Sequence, residues 1–306
     1  MAIRRLVELL NAVRANMPRK IIVVCANDAH TLLAVKQAVD ENLIRAILIG
    51  DESRIISICR ENQIDPSSYR IINQPDNLLA ASLAIEMINN SEGDVLMKGL
   101  ISTDQLMKAI LNKTNGLIEA GQLLSHVTVI ENNNYHKLII AGDVAVIPLP
   151  DLNQKRIIIN YLVVTAKILG ISNPKVAVIA PTEKVLPSIP STIDADLLCK
   201  MNRDGLIQGC IVEGPLSLDI ALDAETARIK GVNSSIAGDA DCFLFPNLDA
   251  GNVFYKTNTK LAHSETAAVL VGAKVPVVLS SRGDSIQTKL YSIALGTLMS
   301  QNKIKQ

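Results

Sequence analysis

Four segments of the sequence place anion-binding side chains directly after apolar runs. The sharpest of them, residues 275–285, reads VPVVLSSRGDS, and Ser280, Ser281 and Arg282 follow its apolar run. Gly283 lets the backbone turn close to a ligand. Two hydroxyls, one guanidinium and the N–H groups that open a following helix can together surround a phosphate group. The alternative interpretation is an ordinary loop with a capped helix and a solvated arginine.

Two further segments carry polar side chains after strand-like runs. Residues 245–256 read FPNLDAGNVFYK and hold Asn252, Tyr255 and Lys256 in a short space, which we predict to be a polar loop. A plain connecting loop explains the glycine and asparagines, but less well an aromatic pair beside a lysine in a chain that is 3% aromatic. In VEGPLSLDIAL a strand-like run ends at the glycine and proline, and Asp219 lies in the turn that follows. Both segments are candidate parts of a binding site.

The fourth segment, residues 95–110, reads VLMKGLISTDQLMKAI. Lys98 ends its apolar run, and Ser102 or Thr103 can cap the helix that follows. Lys108 lies on that helix, where a solvated surface lysine is the alternative. Ligands of parallel α/β sheets gather at the carboxyl ends of strands, where helix N-termini offer N–H groups to anions. The segments therefore predict anion binding at such an edge.

The sequence lacks the motifs of several enzyme classes. It contains no GxGxxG, GxxxxGK[ST], HExxH or GxSxG pattern, so a nucleotide-binding loop, a zinc protease and a serine hydrolase lack support. The four histidines are far apart, and we predict no metal site. Thirty basic residues balance thirty acidic ones, so no net charge favours nucleic acid or an anionic membrane. Local groups must hold any anionic ligand.

The elements that position these segments alternate between strand-like and helix-like patterns from residue 20 onward. KIIVVCAN, IRAILIG, YRIIN and DVLMKG are short apolar runs, each followed by a stretch of helical periodicity. Asp28 can cap the first of these helices. Repeated βα units predict parallel sheets covered by helices. Between residues 116 and 155 two neighbouring strands predict an antiparallel pair. SETAAVLVG is predicted to be a helix, and SIQTKLYSIALGTLMSQNK a terminal helix.

Length and cysteine content indicate the size class and the compartment. The 306 residues are sufficient for two domains of ordinary size. The five cysteines are scattered without a CxxC pair, which is typical of reduced thiols. The N-terminus does not read as a signal peptide, and no apolar stretch reaches the ~18 residues of a membrane span. We therefore predict a cytoplasmic protein.

Taken in order, the four segments resemble the phosphate acetyltransferase and phosphate butyryltransferase family over roughly residues 15–300. The most specific parts are MKGLIST, GPLSLD, AGDADCFLFPNLDAGNVFYK and PVVLSSRGDS. SHVTVIE, INYLVVTAKILG and SIQTKLYSIAL are more similar to the butyryltransferase branch. The resemblance therefore points to that branch.

The resemblance implies a two-domain α/β fold similar to that of the isocitrate and isopropylmalate dehydrogenases. Mostly parallel sheets flanked by helices are expected, with the active-site cleft between the domains. The C-terminal helix returns to the first domain in that fold. The first domain is then discontinuous, comprising 1–137 plus 269–306, and the second comprises 138–268. A homodimer is also implied.

The activity implied by the resemblance is acyl transfer from an acyl-CoA to phosphate, giving an acyl phosphate and CoA, with a butyryl or branched short-chain group favoured. Coenzyme A is then a substrate, and neither a tightly bound cofactor nor a metal ion is implied. Ser281 and Arg282 match the family's catalytic pair, in which the arginine neutralises phosphate and the serine donates to the developing negative charge. The implied phosphate- and CoA-binding residues are Ser280, Gly283, Lys98, Ser102, Thr103, Lys108, Asn252, Tyr255 and Lys256.

Two positions leave the base uncertain. Thr288 stands where the acetyltransferase branch has an aspartate proposed as the base for the CoA thiol, and Asp284 sits elsewhere on the turn. Asp219 is a further candidate site residue, without an assigned role. A thiol with a pKa of about 8.5 ionises in part unaided. The acetyltransferase branch has an arginine at the position of Lys108. A lysine keeps the positive charge but does not offer the paired donors with which an arginine binds phosphate.

Three other functions remain open. The first is the same reaction with acetyl-CoA as the preferred substrate. The second is a decarboxylating dehydrogenase of the same fold, which needs NAD-binding and metal-binding motifs that are not evident here. The third is a non-catalytic sensor that binds CoA or acyl phosphate, suggested by Thr288 and Lys108.

Overall fold

The computed structural model describes residues 2–279 and 283–302 and divides the chain into two compact units. The first unit contains Leu6–Leu124 and the described residues of Ala267–Lys303. The second unit contains Ser125–Thr266 and the described residues of Met1–Arg5. Strands and helices alternate along both, so the predicted α/β class is confirmed.

The first division between the units differs from the predicted domain limit. That limit follows residue 137, whereas the second unit includes Ser125 onward. The physical reason is that strand β5 (Ser125–Glu131) pairs with strand β6 (Ile139–Gly142), so one unit contains both. This pairing is antiparallel, as the sequence predicts for this stretch. The two predicted domains, 1–137 plus 269–306 and 138–268, stay a prediction.

Within the first unit, six strands lie side by side. They are β1 (Arg19–Val24), β2 (Ile44–Gly50), β3 (Arg70–Asn73), β4 (Val95–Lys98), most of β10 (Glu265–Val271) and β11 (Val277–Val278). Their order is β3-β2-β1-β4-β11-β10, and all pair in parallel except β10 with β11. The carboxyl ends of the parallel strands therefore share one edge.

Helices cover the strands of the first unit. They are α1 (Val7–Arg14), α2 (Ala29–Asp40), α3 (Glu52–Glu61), α4 (Asn77–Asn89), α5 (Thr103–Ile110) and α11 (Ile286–Gln301), with a short 3₁₀ turn at Pro66–Ser68. Side chains of Asp28, Asp51, Asp76 and Ser102 accept first-turn N–H groups of α2, α3, α4 and α5. These caps satisfy donors that a helix leaves without internal partners. The predicted caps Asp28 and Ser102 are confirmed.

Helix α11 is surrounded by the rest of the first unit. Every residue from Thr288 to Ser300 is buried. The helix packs on β1, β4 and β11 and against α1 and α2. A helix buried on all sides has no polar stripe, which agrees with Lys289 being the one charged residue of α11.

The second unit also alternates helices with a mostly parallel sheet. Its remaining elements are α6 (Leu152–Ile168), β7 (Lys175–Ile179), α7 (Pro190–Arg203), β8 (Ile211–Leu216), α8 (Leu218–Leu222), α9 (Ala224–Lys230), β9 (Cys242–Leu244) and α10 (Leu248–Lys260). The strand order is β5-β6-β9-β7-β8, and every pair after the β5–β6 pair is parallel.

Two predicted elements are wrong, and both lie near α10. The predicted polar loop, FPNLDAGNVFYK, forms most of α10, because Asn247 caps the helix and Gly251, Phe254 and Asn258 form its buried face at helical spacing. The predicted helix SETAAVLVG contains strand β10, in which successive residues are buried. A short continuous apolar run fits a buried strand and a buried helix equally well, so periodicity cannot separate them.

Within residues 2–279 and 283–302, no helix has both the length and the apolar character needed to cross a bilayer.

Candidate functional site

The carboxyl ends of β1 and β4 lie side by side in the first unit. Lys98 ends β4, is 4% exposed, and its Nζ donates a hydrogen bond to the Gly99 carbonyl at 3.3 Å. The Gly99 N–H bonds to the Val24 carbonyl at 2.8 Å. A Cβ added at Gly99 would lie 2.7 Å from that oxygen and closer still to the Cys25 carbonyl. Only glycine allows this approach, which fixes the position of Lys98.

Helix α5 begins directly after this edge. Ser102 Oγ accepts the Gln105 N–H at 3.2 Å and donates to Gln105 Oε1 at 3.1 Å, so its hydroxyl takes part in the cap. Thr103 is exposed in the first turn, and Lys108 is exposed in the last turn. Lys108 therefore lies at the C-terminal end of the helix, where the dipole favours a cation, and away from the N-terminus. Their predicted binding roles stay predictions.

A pocket of about 270 Å³ opens at the same edge. It is lined by the first turn of α2, by the residues that follow β4 and by one residue of α11. The structure therefore brings Lys98 together with Asp28, His30 and Lys289. Lys289 is not among the residues that the sequence predicts for the site. Its signal in the sequence is that it is the one charged residue of α11, near the start of the helix.

Burial and neighbouring charges set the electrostatics of this pocket. Lys289 is 3% exposed, and its burial lowers the pKa of the ammonium, whereas the charges of Asp28 and Asp284 act in the opposite direction. Burial raises the pKa of the nearby Cys25 thiol to about 11, although the positive charge of Lys98 opposes that shift. Cys25 is therefore a protonated thiol near neutral pH.

The start of α11 holds the residues that follow the predicted catalytic pair. Ser285 caps the helix: its Oγ accepts the Thr288 N–H at 3.0 Å and donates to Thr288 Oγ1 at 3.1 Å. Thr288 is buried, Asp284 is half-buried, and Gly283 is exposed. The Thr288 hydroxyl thus takes part in the cap, and an alcohol is too weak a base to deprotonate a thiol.

Ser280, Ser281 and Arg282 lie outside the described residues. Strand β11 ends at Val278 before them, and α11 begins at Ile286 after them. Their predicted catalytic and binding roles stay predictions.

In the second unit, helix α10 is held against the loop after β6. Asn252 is half-buried, and its Nδ2 donates to the Val144 carbonyl at 3.1 Å. A Cβ added at Gly251 would lie 3.2 Å from Val144 Cγ1 and would clash with the Asp143 carbonyl oxygen. Helix and loop therefore touch through their backbones, and Asn252 joins them.

Tyr255 and Lys256 lie further along α10. The half-buried Tyr255 ring meets the His126 ring edge-on, with 6.4 Å between centroids. The exposed Lys256 places its Nζ 5.1 Å from the centroid of the Tyr255 ring. This is the geometry of a cation–π contact.

Asp143 organises the loop that α10 contacts, and the sequence predictions did not include it. The residue is 4% exposed. Its Oδ2 accepts the Ser125 hydroxyl at 2.9 Å and the His126 N–H at 3.1 Å. Its Oδ1 accepts the N–H groups of Ala145 at 2.7 Å and Val146 at 2.8 Å. The local signal is an aspartate directly after an apolar strand.

Asp219 is exposed at the start of α8. It pairs with Lys230 at 2.7 Å, and the Ser217 Oγ lies 2.5 Å from its Oδ1. The hydrogen bond from Lys230, followed by that from Ser217, lowers the pKa of Asp219 to about 2. A carboxylate with so low a pKa is a weak base.

Across residues 2–279 and 283–302, no three His, Cys, Asp or Glu side chains are grouped so that they could hold a metal ion. The predicted lack of a metal requirement stays a prediction.

Comparison with known proteins matches this chain to one family. Residues 77–297 match the family described as phosphate acetyl/butaryl transferase. A phosphate butyryltransferase of Clostridium acetobutylicum is 43% identical over 97% of this chain and 98% of its own. A phosphate acetyltransferase of Thermotoga maritima is 40% identical over 92% of this chain and 95% of its own.

A solved structure of a protein with a related name is also similar to this chain. The crystal structure of a branched-chain phosphotransacylase from Enterococcus faecalis matches with a TM-score of 0.81 and 28% identity, covering 92% of this chain and 99% of that chain. The predicted resemblance is therefore confirmed, and the chain belongs to the phosphate acetyl/butaryl transferase family.

Proposed function

We propose that this protein transfers a short acyl group between coenzyme A and inorganic phosphate. A phosphate oxygen bonds to the thioester carbonyl carbon, the C–S bond breaks, and CoA leaves as a thiolate that takes up a proton. The products are an acyl phosphate and CoA. The observation that carries this proposal is the 43% identity to a phosphate butyryltransferase along 97% of the chain.

Ser281 and Arg282 are the proposed catalytic residues. The Arg282 guanidinium neutralises phosphate, and the Ser281 hydroxyl donates a hydrogen bond to the oxyanion that forms at the carbonyl. One such donor contributes a factor of about 10²–10³ to the rate. The proposed substrate-binding residues are Ser280, Gly283, Lys98, Ser102, Thr103, Lys108, Asn252, Tyr255 and Lys256.

No carboxylate is assigned as the base for the CoA thiol in the reverse reaction. Asp219 has a pKa of about 2, and the Thr288 hydroxyl takes part in the cap of α11. A thiol with a pKa of about 8.5 is partly ionised near neutral pH, so the reaction proceeds from the thiolate fraction. The reverse rate should therefore rise with pH up to the thiol pKa.

The proposed acyl group is butyryl or a branched short chain. Two relatives support this: the clostridial protein is named for butyryl transfer, and the enterococcal protein for branched-chain transfer. One methylene changes specificity by about 1–3 kcal/mol, so butyryl-CoA and isobutyryl-CoA should exceed acetyl-CoA in kcat/KM by roughly ten-fold or more. An acetyl preference would instead match the Thermotoga relative.

The test is phosphate-dependent release of CoA from butyryl-CoA by the purified protein. Omission of phosphate is the first control. Arg282→Ala should lower the rate by about 10²-fold or more, whereas Arg60→Ala, at an exposed position on α3, should leave it unchanged. Absence of CoA release from every short acyl-CoA contradicts the proposed function. CoA binding without turnover, lost in Arg282→Ala, would instead support the sensor.

We also propose a homodimeric cytoplasmic enzyme without a tightly bound cofactor. Light scattering after size exclusion should give twice the 33.0 kDa chain mass. A mass of one chain contradicts the dimer. Activity that survives dialysis against a chelator supports the absence of a metal requirement.

A further inference from the structure

The pocket at the carboxyl edge of the first unit contains two buried lysines, Lys98 and Lys289. Asp28 is the single carboxylate among the described residues that line the pocket. The wall therefore carries more positive than negative charge.

The Asp28 carboxylate takes part in a helix cap. Its Oδ1 accepts the Thr31 N–H at 2.9 Å and caps α2. The remaining first-turn N–H groups of α2 belong to Ala29 and His30, which also line the pocket. A helix N-terminus carries about half a positive charge, so α2 adds to the field of the two lysines.

Lys289 occupies an electrostatically unfavourable position. It is 3% exposed and lies close behind the Ser285 cap of α11, where the helix dipole disfavours a cation. Burial lowers the pKa of its ammonium, and Asp28 and Asp284 offset this effect. Perturbed charged groups in a concave site are typical of functional positions.

We propose that Lys289, together with Lys98, binds the phosphoryl group of the substrate, either as inorganic phosphate or as the phosphate end of the acyl phosphate. This inference rests on the proposed function. A phosphate dianion complements two ammonium groups and the N–H groups of α2, and it accepts hydrogen bonds from all of them. Lys289 is thus a substrate-binding residue of the transfer reaction.

The size of the pocket favours phosphate over the bulk of coenzyme A. Its volume of about 270 Å³ is smaller than the ~300–1,000 Å³ of sites for drug-sized ligands. Phosphate with a short acyl chain suits such a volume. The phosphate groups of CoA are the other anions that the two lysines could hold. The kinetic test distinguishes them from inorganic phosphate and acyl phosphate.

Lys289→Met removes the ammonium and keeps an unbranched apolar side chain. The KM for phosphate, and in reverse the KM for acyl phosphate, should rise about ten-fold or more, as expected for a lost charge-assisted hydrogen bond. The KM for acyl-CoA should change less than two-fold. Lys36→Met is the matched control, because Lys36 lies on α2 outside the pocket lining and pairs with Asp40.

A second measurement does not depend on the variant folding. A crystal structure of the unmodified chain grown with inorganic phosphate should show phosphate bonded to the Lys289 Nζ. Phosphate bound only elsewhere, or absent at saturating concentration, overturns the inference. An unchanged KM for phosphate in Lys289→Met, or a rise confined to acyl-CoA, also overturns it.

The two proposals fail in distinguishable ways. If the wild-type chain releases CoA while Lys289→Met keeps the wild-type KM for phosphate, the inference alone fails. If the wild-type chain releases no CoA, the proposed function fails. In that case phosphate binding at this lysine is still measurable: phosphate should raise the melting temperature of the wild-type chain, and Lys289→Met should abolish this rise.

Discussion

Replacing Asp143 by asparagine should destabilise the second unit and impair catalysis. The carboxylate is buried and accepts hydrogen bonds with both oxygens, from Ser125 and His126 on one side and from Ala145 and Val146 on the other. An asparagine amide has only one acceptor oxygen, and its NH₂ group must face two donors. The variant keeps the size of the side chain, so packing is not the cause.

The magnitude follows from the bonds that cannot be remade. If the NH₂ group faces Ser125, that hydroxyl can rotate to accept, but the buried His126 N–H loses its acceptor at a cost of about 1–3 kcal/mol. Replacing a charged acceptor by a neutral one weakens the remaining bonds by about 1 kcal/mol. The expected loss is therefore about 2–4 kcal/mol. At roughly 2–4 °C per kcal/mol, the melting temperature should fall by about 4–16 °C.

Urea unfolding followed by circular dichroism measures this loss. The control is Asp249→Asn, which removes a carboxylate from the exposed first turn of α10 in the same unit. It should cost no more than about 1 kcal/mol, the usual size of a surface helix-dipole interaction. Ser125→Ala combined with Asp143→Asn should cost less than the sum of the two single changes, because both remove the same hydrogen bond.

The catalytic effect follows from the contact between this loop and α10. Asn252 bonds to the Val144 carbonyl, one residue after Asp143, so a displaced loop displaces the helix that carries Tyr255 and Lys256. The kcat/KM of Asp143→Asn should fall under conditions in which the variant stays folded. If Asp143→Asn is as stable and as active as Asp249→Asn, the reasoning about this carboxylate is wrong.

Three other predictions concern a close backbone approach, an ion pair and the burial of the cysteines. Gly99→Ala should lower stability by about 1–3 kcal/mol in urea unfolding, because its Cβ would lie 2.7 Å or less from carbonyl oxygens. Gly283→Ala should be neutral, since no atom of the described residues lies within 4 Å of the added Cβ, and equal effects of the two changes would refute this. Lys230→Met should raise the pKa of Asp219 from about 2 toward its ordinary value in an NMR titration, and an unshifted pKa would contradict the assigned cause. The depressed pKa stabilises the fold at neutral pH, and this effect is lost as pH falls toward 2; screening by solvent keeps it small for so exposed a pair. All five cysteine thiols are buried with raised pKa values, so a thiol reagent at pH 8 should label the native chain slowly and the urea-unfolded chain fully; rapid native labelling would contradict their burial.

Local signals in the sequence predicted much of the fold. Short apolar runs alternating with helical periodicity indicated parallel sheets, and the side chains of Asp28 and Ser102 indicated the caps of α2 and α5. These features depend on residues within one or two turns of each other. The order of the four polar segments was sufficient to recognise the family, because each motif is contiguous.

Elements whose type depends on their surroundings were harder to predict. Residues 245–256 read as a polar loop because their apolar positions are few, and only packing of Gly251 and Phe254 reveals the helical face. Residues 264–272 are apolar in succession, which does not distinguish a buried strand from a buried helix. Pairing with β11 decides in favour of the strand.

The sequence by itself determined the α/β class, several helix caps and the family. Only the tertiary structure showed that the Asp143 carboxylate accepts four hydrogen bonds and that Lys289, near the C-terminus, lines a pocket with Lys98. The physical reason is the separation along the chain over which each effect acts. Periodicity and capping act between near neighbours in the chain, whereas burial, desolvation and hydrogen-bond partners depend on residues that are distant in sequence and meet only when the sheet forms.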